Sequence, residues 1–209
     1  IQGLFYNTMH QYYLCSINSF APNIEKINGD FRLSRFVRDP RDLIVSGYFY
    51  HKRGAEPWFR FKDPTEQYWA AINGHVPAKL PPGDSFAEYL SKLNESDGLM
   101  MEMEFRKYHL DSMREWTEDP RIKTFRYEDI ISNQAGAFSE ILDHLEIKNI
   151  EKRKLMFFAN RYAIQNRKND KHIRNPKASQ WRKYFTPEMN KNFVKEYGDI
   201  LERYGYPKE

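Results

Sequence analysis

The run Arg38-Asp39-Pro40-Arg41-Asp42-Leu43-Ile44-Val45-Ser46 sets a cation just ahead of a proline that is suited to open a helix. An arginine at a strand terminus beside the free backbone N–H groups of a helix start makes a place for an anion, a phosphate above all. At 1.5 Å per residue, Ser46 lies about 9 Å along that helix from Pro40. Ser46 and Arg38 therefore share one phosphate only if it lies alongside the helix. The competing reading is an ordinary strand-to-helix turn with Arg38 in a surface ion pair.

Two further stretches carry groups of the same chemical kind. Arg174-Asn-Pro-Lys-Ala-Ser-Gln-Trp181-Arg-Lys-Tyr-Phe-Thr186 belongs to a polar, basic segment, 165–185, that lacks periodicity and reads as a loop long enough to fold over a ligand. In Phe125-Arg-Tyr127-Glu128-Asp129, after a predicted strand, the two acids favour the start of the next helix. His51 sits near the end of the helix that Pro40 opens. His10, His75, His109, His144 and His172 form no pair with metal-ligand spacing, so no metal site is expected.

The elements that position these groups follow from periodicity and punctuation. Residues 1–12 place Ile1, Leu4, Phe5 and Met9 at helical spacing, so the sequence begins as the body of a helix, followed by a strand near 13–17. Residues 31–37 alternate as a strand, and Asp39 caps a helix over about 40–53. Residues 54–84 hold Pro57, Pro64, Pro77, Pro81 and Pro82 among Trp58, Phe59, Phe61, Tyr68 and Trp69, which predicts an irregular aromatic segment with a short helix near 65–72. Further helices are expected at 85–93, 98–116, 133–145, 150–162 and from 186, with a strand at 122–126. Met100, Met101, Met103 and Phe105 read as core. Few strands among many helices predict an α/β fold whose mostly parallel sheet gathers ligands beyond the strands' carboxyl ends, where Arg38 falls.

Composition narrows the partners. Thirty-three Lys and Arg against 29 Asp and Glu give +4, with both signs interspersed along the 209 residues. Nucleic-acid binders show a clustered basic stripe, so no nucleic acid is expected, and a small anionic ligand suits the balance. Cys15 is the only cysteine, which excludes an intrachain disulfide and favours a reducing, cytoplasmic setting. No run approaches 18 apolar residues, so no membrane span is expected.

The Arg38 to Ser46 spacing resembles the 3′-phosphate-binding element of sulfotransferases that use 3′-phosphoadenosine 5′-phosphosulfate (PAPS), in which a Ser follows the turn's Arg by eight residues. The Arg174 to Trp181 stretch is similar to the family's Arg-Lys-Gly-x-x-Gly-Asp-Trp, with Asn175, Pro176, Ser179 and Gln180 replacing Lys, Gly, Gly and Asp. Tyr127-Glu128-Asp129 resembles a tripeptide whose Tyr borders the adenine. Tyr162 falls near the place of a second aromatic by the base, and by itself reads as core. The resemblance implies a P-loop-like three-layer α/β fold in a single domain, 1–209, lacking an upstream Lys-Ser/Thr-Gly-Thr loop for the 5′-phosphosulfate. It also implies transfer of a sulfuryl group from PAPS, without a metal, to a hydroxyl, or less readily an amine, of a small, partly apolar acceptor. Arg38, Ser46, Tyr127, Arg174, Asn175, Lys177 and Trp181 would bind the nucleotide.

The family's usual histidine base has no counterpart in residues 11–37, which leaves His51 as first candidate and Glu25 as the alternative. The usual dimer motif keeps only Thr186, so it predicts no oligomeric state. A nucleotide-binding pseudoenzyme, or another P-loop-type enzyme such as a kinase, is the alternative function.

Overall fold

A computed structural model describes residues 22–147, 149–163 and 175–209. Strand β1, Leu33–Val37, pairs in parallel with β2, Ile122–Arg126, so that Leu33 faces Ile122 and Val37 faces Arg126. Because the two strands end opposite one another, the residues that follow, Arg38 and Tyr127, emerge side by side. This register brings together groups 89 positions apart in sequence.

Helix α1, Pro40–Lys52, follows β1 directly, with the Asp39 carboxylate accepting from Arg41 N–H and Pro40 in the first turn. The carboxylate satisfies one of the free N–H groups of the helix start, and the proline has no N–H to leave unpaired. A 3-10 turn at Pro57–Arg60 and α2, Glu66–Ala70, lead through irregular backbone to α3, Phe86–Lys92. Ser85 and Glu88 close a reciprocal capping box at the start of α3. Helices α4, Glu95–Phe105, and α5, Lys107–Glu115, replace the single helix predicted over 98–116. The break has a cause: the Phe105 carbonyl accepts from His75 N–H at 2.8 Å, while Arg106 N–H caps α4.

After β2 the chain turns at once into α6, Tyr127–Ser132, a short helix the sequence pattern had not marked, with Glu128 and Asp129 in its first turn. Helices α7, Gln134–His144, and α8, Asn149–Arg161, follow within a residue or two of expectation. Residues 175–180 are irregular, but Trp181–Tyr184 form a single turn, α9, inside the stretch read as loop. Helix α10, Pro187–Arg203, starts with Thr186 accepting from Met189 N–H and kinks at Tyr197. The expected helix over 1–12, the strand at 13–17, and Arg174 lie outside the described residues. Parallel strands joined through helices make this an α/β fold.

The core lies where α1 packs on α3 and α4. Ile44, Val45 and Tyr48 meet Leu90, Leu99 and Met101, and a ring cluster of Phe59, Trp69, Phe86 and Phe105 gathers beneath the aromatic segment. Met101 and Phe105 are in the core as read, with Met100 and Met103 packed against it. Gly47 is needed at the closest approach of the helices, since a Cβ there would run into the Glu102 carboxylate. Tyr162 corrects an expectation: it is 60% exposed and stacks on Phe158 at the open face of α8.

Candidate functional site

Arg38 leaves β1 with its guanidinium 4.5 Å above the Tyr127 ring, a cation–π stack set by the strand register. Among the described residues its Nε and Nη2 find no hydrogen-bond partner although both are buried. The nearest acid is Asp42, whose Oδ2 stands 3.8 Å from Nη2. Buried donors without acceptors are costly to keep, and they point to a ligand that accepts from them.

Arg41, three residues on, is the opposite case. It is wholly buried and donates to Asp39 Oδ1 at 3.0 Å, Asp39 Oδ2 at 2.8 Å, Asn190 Oδ1 at 2.9 Å and the Pro207 carbonyl at 2.6 Å. Its guanidinium lies 3.5 Å over the Trp181 ring. With its donors spent inside the protein, Arg41 holds structure together.

The 175–181 stretch is tied at one end to Tyr127 after β2 and at the other to α1. Tyr127 Oη donates to the Pro176 carbonyl at 3.0 Å, and Trp181 N–H donates to Asp42 Oδ1 at 2.8 Å. Between them Gln180 Nε2 donates to the carbonyls of Asn175 and Lys177, each at 2.9 Å, and Asn175 Oδ1 accepts from Lys177 N–H. Ser179 takes φ +58°, the left-handed region that favours glycine. The loop thus keeps a glycine-like backbone at the position where Ser replaces the family's Gly. Burial raises the Tyr127 phenol above its ordinary value and raises the Asp42 carboxyl as well, against the lowering effect of the Trp181 N–H and Arg38.

Ser46, half-buried, lies one helical turn beyond Asp42 on α1, and Asp42 stands beside Arg38, which precedes the helix. Lys177 is exposed, Asn175 half-buried and Trp181 buried.

His51 is not brought to this cluster. His51, 3% exposed, holds its ring 3.8 Å from Phe59 and its Nδ1 2.6 Å from Glu102 Oε2. Glu102 also accepts from Arg106 Nε at 2.9 Å. Arg106 balances the carboxylate, so burial prevails and His51 is held below its ordinary value, neutral, donating Nδ1–H to Glu102. Glu25 lies exposed in the 3-10 turn Ile24–Lys26.

Three residues of the site escaped the sequence reading: Asp42, Arg41 and Glu128. Glu128 accepts from Asp39 N–H at 3.1 Å and from Tyr206 Oη at 3.0 Å, joining both strand ends to the residues after α10. Asp42 had a legible signal, four residues from both Arg38 and Ser46. Glu128 had none, since its partners lie far off in sequence, and for Arg41 only the Asp39 contact is local. Among the described residues no group of three or more His, Cys, Asp or Glu is placed to hold a metal, and no helix is long and apolar enough to cross a membrane.

A family profile described as "Sulfotransferase domain" matches residues 28–205. Curated protein sequences yield no match. Among solved structures, mouse sulfotransferase SULT7A1 complexed with PAP is similar at 16% identity and TM-score 0.47, over 81% of this chain and 58% of that one. Retinol dehydratase is similar at 22% identity over 81% of this chain and 47% of that one, with TM-score 0.43 in a complex with androsterone and the inactive cofactor PAP and 0.45 in one with retinol and PAP. The chain thus spans about half the length of these structures.

Two outcomes follow from the geometry. Ser179→Gly relieves the left-handed strain and should raise unfolding free energy in urea by about 0.5–1 kcal/mol. Because His51 is neutral when folded, the unfolded chain binds the extra proton, so His51 costs stability as pH falls below roughly 6.5 and has no effect above it. Urea melts of His51→Gln should therefore show a shallower loss than the unsubstituted protein between neutral and acid pH.

Proposed function

Since the chain belongs to the sulfotransferase family, we propose that it moves a sulfuryl group from PAPS to a hydroxyl, less readily an amine, of a small, partly apolar acceptor. Displacement is in line: the acceptor oxygen bonds to sulfur as the bond from sulfur to the 5′-phosphate oxygen breaks, and the acceptor's proton passes to a base. The protein's task is to fix the departing nucleotide and to meet the charge that gathers on it.

The observation that carries this reading is the pair of buried, unpartnered donors on Arg38. They are assigned to the nucleotide's 3′-phosphate, with Ser46 beside it along α1. Tyr127 is assigned to border the adenine, and Asn175, Lys177 and Trp181 to the second side, with Arg174 assigned there on the sequence resemblance alone. Tyr127 and Trp181 act partly by holding this loop, as their bonds to Pro176 and Asp42 support. The exposed Trp58, Phe61 and Tyr68 of the aromatic segment fit an acceptor with apolar surface.

His51 is walled in by Phe59, Phe86 and Phe105 and already donates to Glu102, so its part is assigned to holding that segment on α1. The acceptor's proton is assigned to Glu25, which is open to solvent. A cytoplasmic setting fits the single cysteine.

Titration calorimetry of the full chain with 3′-phosphoadenosine 5′-phosphate (PAP) tests the nucleotide assignment. Binding should need no magnesium and should weaken by about 100-fold in Arg38→Ala, the scale for removing a charge-assisted pair. Unaltered affinity in Arg38→Ala would sink the assignment, and binding that depends on magnesium would favour a kinase-like enzyme. With PAPS and a phenol acceptor, Glu25→Gln is expected to lower kcat by roughly 100-fold while leaving PAP affinity unchanged. An unchanged kcat removes Glu25 as the base.

A further inference from the structure

The two oxygens of Asp42, a residue 1% exposed, are used unequally. Oδ1 accepts from Trp181 N–H at 2.8 Å. Oδ2 has no hydrogen-bond partner among the described residues and stands 3.8 Å from Arg38 Nη2, whose own donors are equally unspent. A shift of about 1 Å would turn that approach into a hydrogen bond and remove both desolvation costs. Two constraints oppose it. The Arg38 guanidinium is stacked on Tyr127 at 4.5 Å, and the carboxylate is anchored through its other oxygen to the backbone of α9. The carboxylate therefore attracts the guanidinium and orients it, yet takes none of its donors.

We propose that Asp42 is a positioning residue for the nucleotide's 3′-phosphate. It aims Arg38 by charge while leaving Nε and Nη2 open to the phosphate, and with the same carboxylate it seats the loop 175–181 on the other side of the site. It stands 3.8 Å from Arg38 and one helical turn before Ser46, the two groups that would share the phosphate. A carboxylate next to a phosphate-binding arginine would otherwise only repel the incoming anion. Here it offsets that repulsion by ordering the arginine before the nucleotide arrives, so less is lost on binding. The proposal rests on Arg38 being the phosphate-binding arginine.

Asp42→Asn keeps an acceptor for Trp181 N–H and removes the charge, whereas Asp42→Ala removes both. By calorimetry with PAP on the full chain, Asp42→Asn should bind about tenfold more weakly at a nearly unchanged melting temperature. Asp42→Ala should lose both affinity and melting temperature. In an Arg38→Ala background, with residual binding read at high nucleotide concentration, Asp42→Asn should cost nothing further, which a merely structural role would not produce. Independently of any nucleotide, the Nε–Hε nuclear magnetic resonance signal of Arg38 should be sharp in the unsubstituted protein and broadened in Asp42→Asn.

Unsubstituted-level affinity in Asp42→Asn overturns the positioning role, as does an equal further loss in the Arg38→Ala background. An Arg38 signal indifferent to Asp42→Asn overturns it even if PAP does not bind. Failure of the unsubstituted protein to bind PAP, with the Arg38 signal still responding to Asp42→Asn, would remove the nucleotide reading and leave the hold of Asp42 on Arg38 supported.

Discussion

A guanidinium shut away from water must find acceptors inside the protein or destabilise it by several kcal/mol. Arg41 meets that demand with acceptors from three separated stretches: the Asp39 carboxylate, the Asn190 side chain and the Pro207 carbonyl, while a fourth stretch supplies the Trp181 ring. The turn after β1, the start of α9, the first turns of α10 and the residues after α10 are thereby fixed to one another. Neighbouring bonds reinforce the arrangement, since Glu128 links Asp39 N–H to Tyr206 and Asn190 donates to the Lys208 carbonyl. The site stands on this junction.

Against that rigid background the state of Arg38 acquires meaning. Two arginines three residues apart share a turn and a chemical type, but one has spent its donors and the other keeps two in reserve. Arg38 is a little less buried, its side chain 15% exposed against 0% for Arg41, but that is the smaller difference. The larger one is the geometry of their neighbours: Asp39 presents both oxygens to Arg41, whereas Asp42 gives one oxygen to Trp181 and holds the other just beyond bonding distance from Arg38. A fold that spends stability to keep donors open does so where a ligand repays it.

The far end of α1 solves a different problem. Gly47 lets α4 approach closely enough for Glu102 to lie buried between His51 and Arg106, and the ring cluster closes over them. One helix thus carries the unpartnered Arg38 just before its start and a neutralised polar cluster at its end, and the second ties the aromatic segment to the first.

Much of this was written locally. Asp39 and Pro40 specify the start of α1, Ser85 with Glu88 and Thr186 with Pro187 do the same for α3 and α10, and alternation marks both strands, because capping and periodicity act over a few residues. The spacing of Arg38 to Ser46, and of Arg174 to Trp181, was enough to point to a family that the match over residues 28–205 bears out. The break at Arg106 was not legible, because it depends on His75 reaching the Phe105 carbonyl from 30 residues away. Nor was the burial of His51, which sequence placed at an open helix end and packing placed among rings. The sequence by itself determined the family and most of the elements that carry the candidate residues. Only the tertiary structure decided that Arg38 keeps its donors while Arg41 spends them, because that choice depends on the strand register and on acceptors contributed from distant parts of the chain.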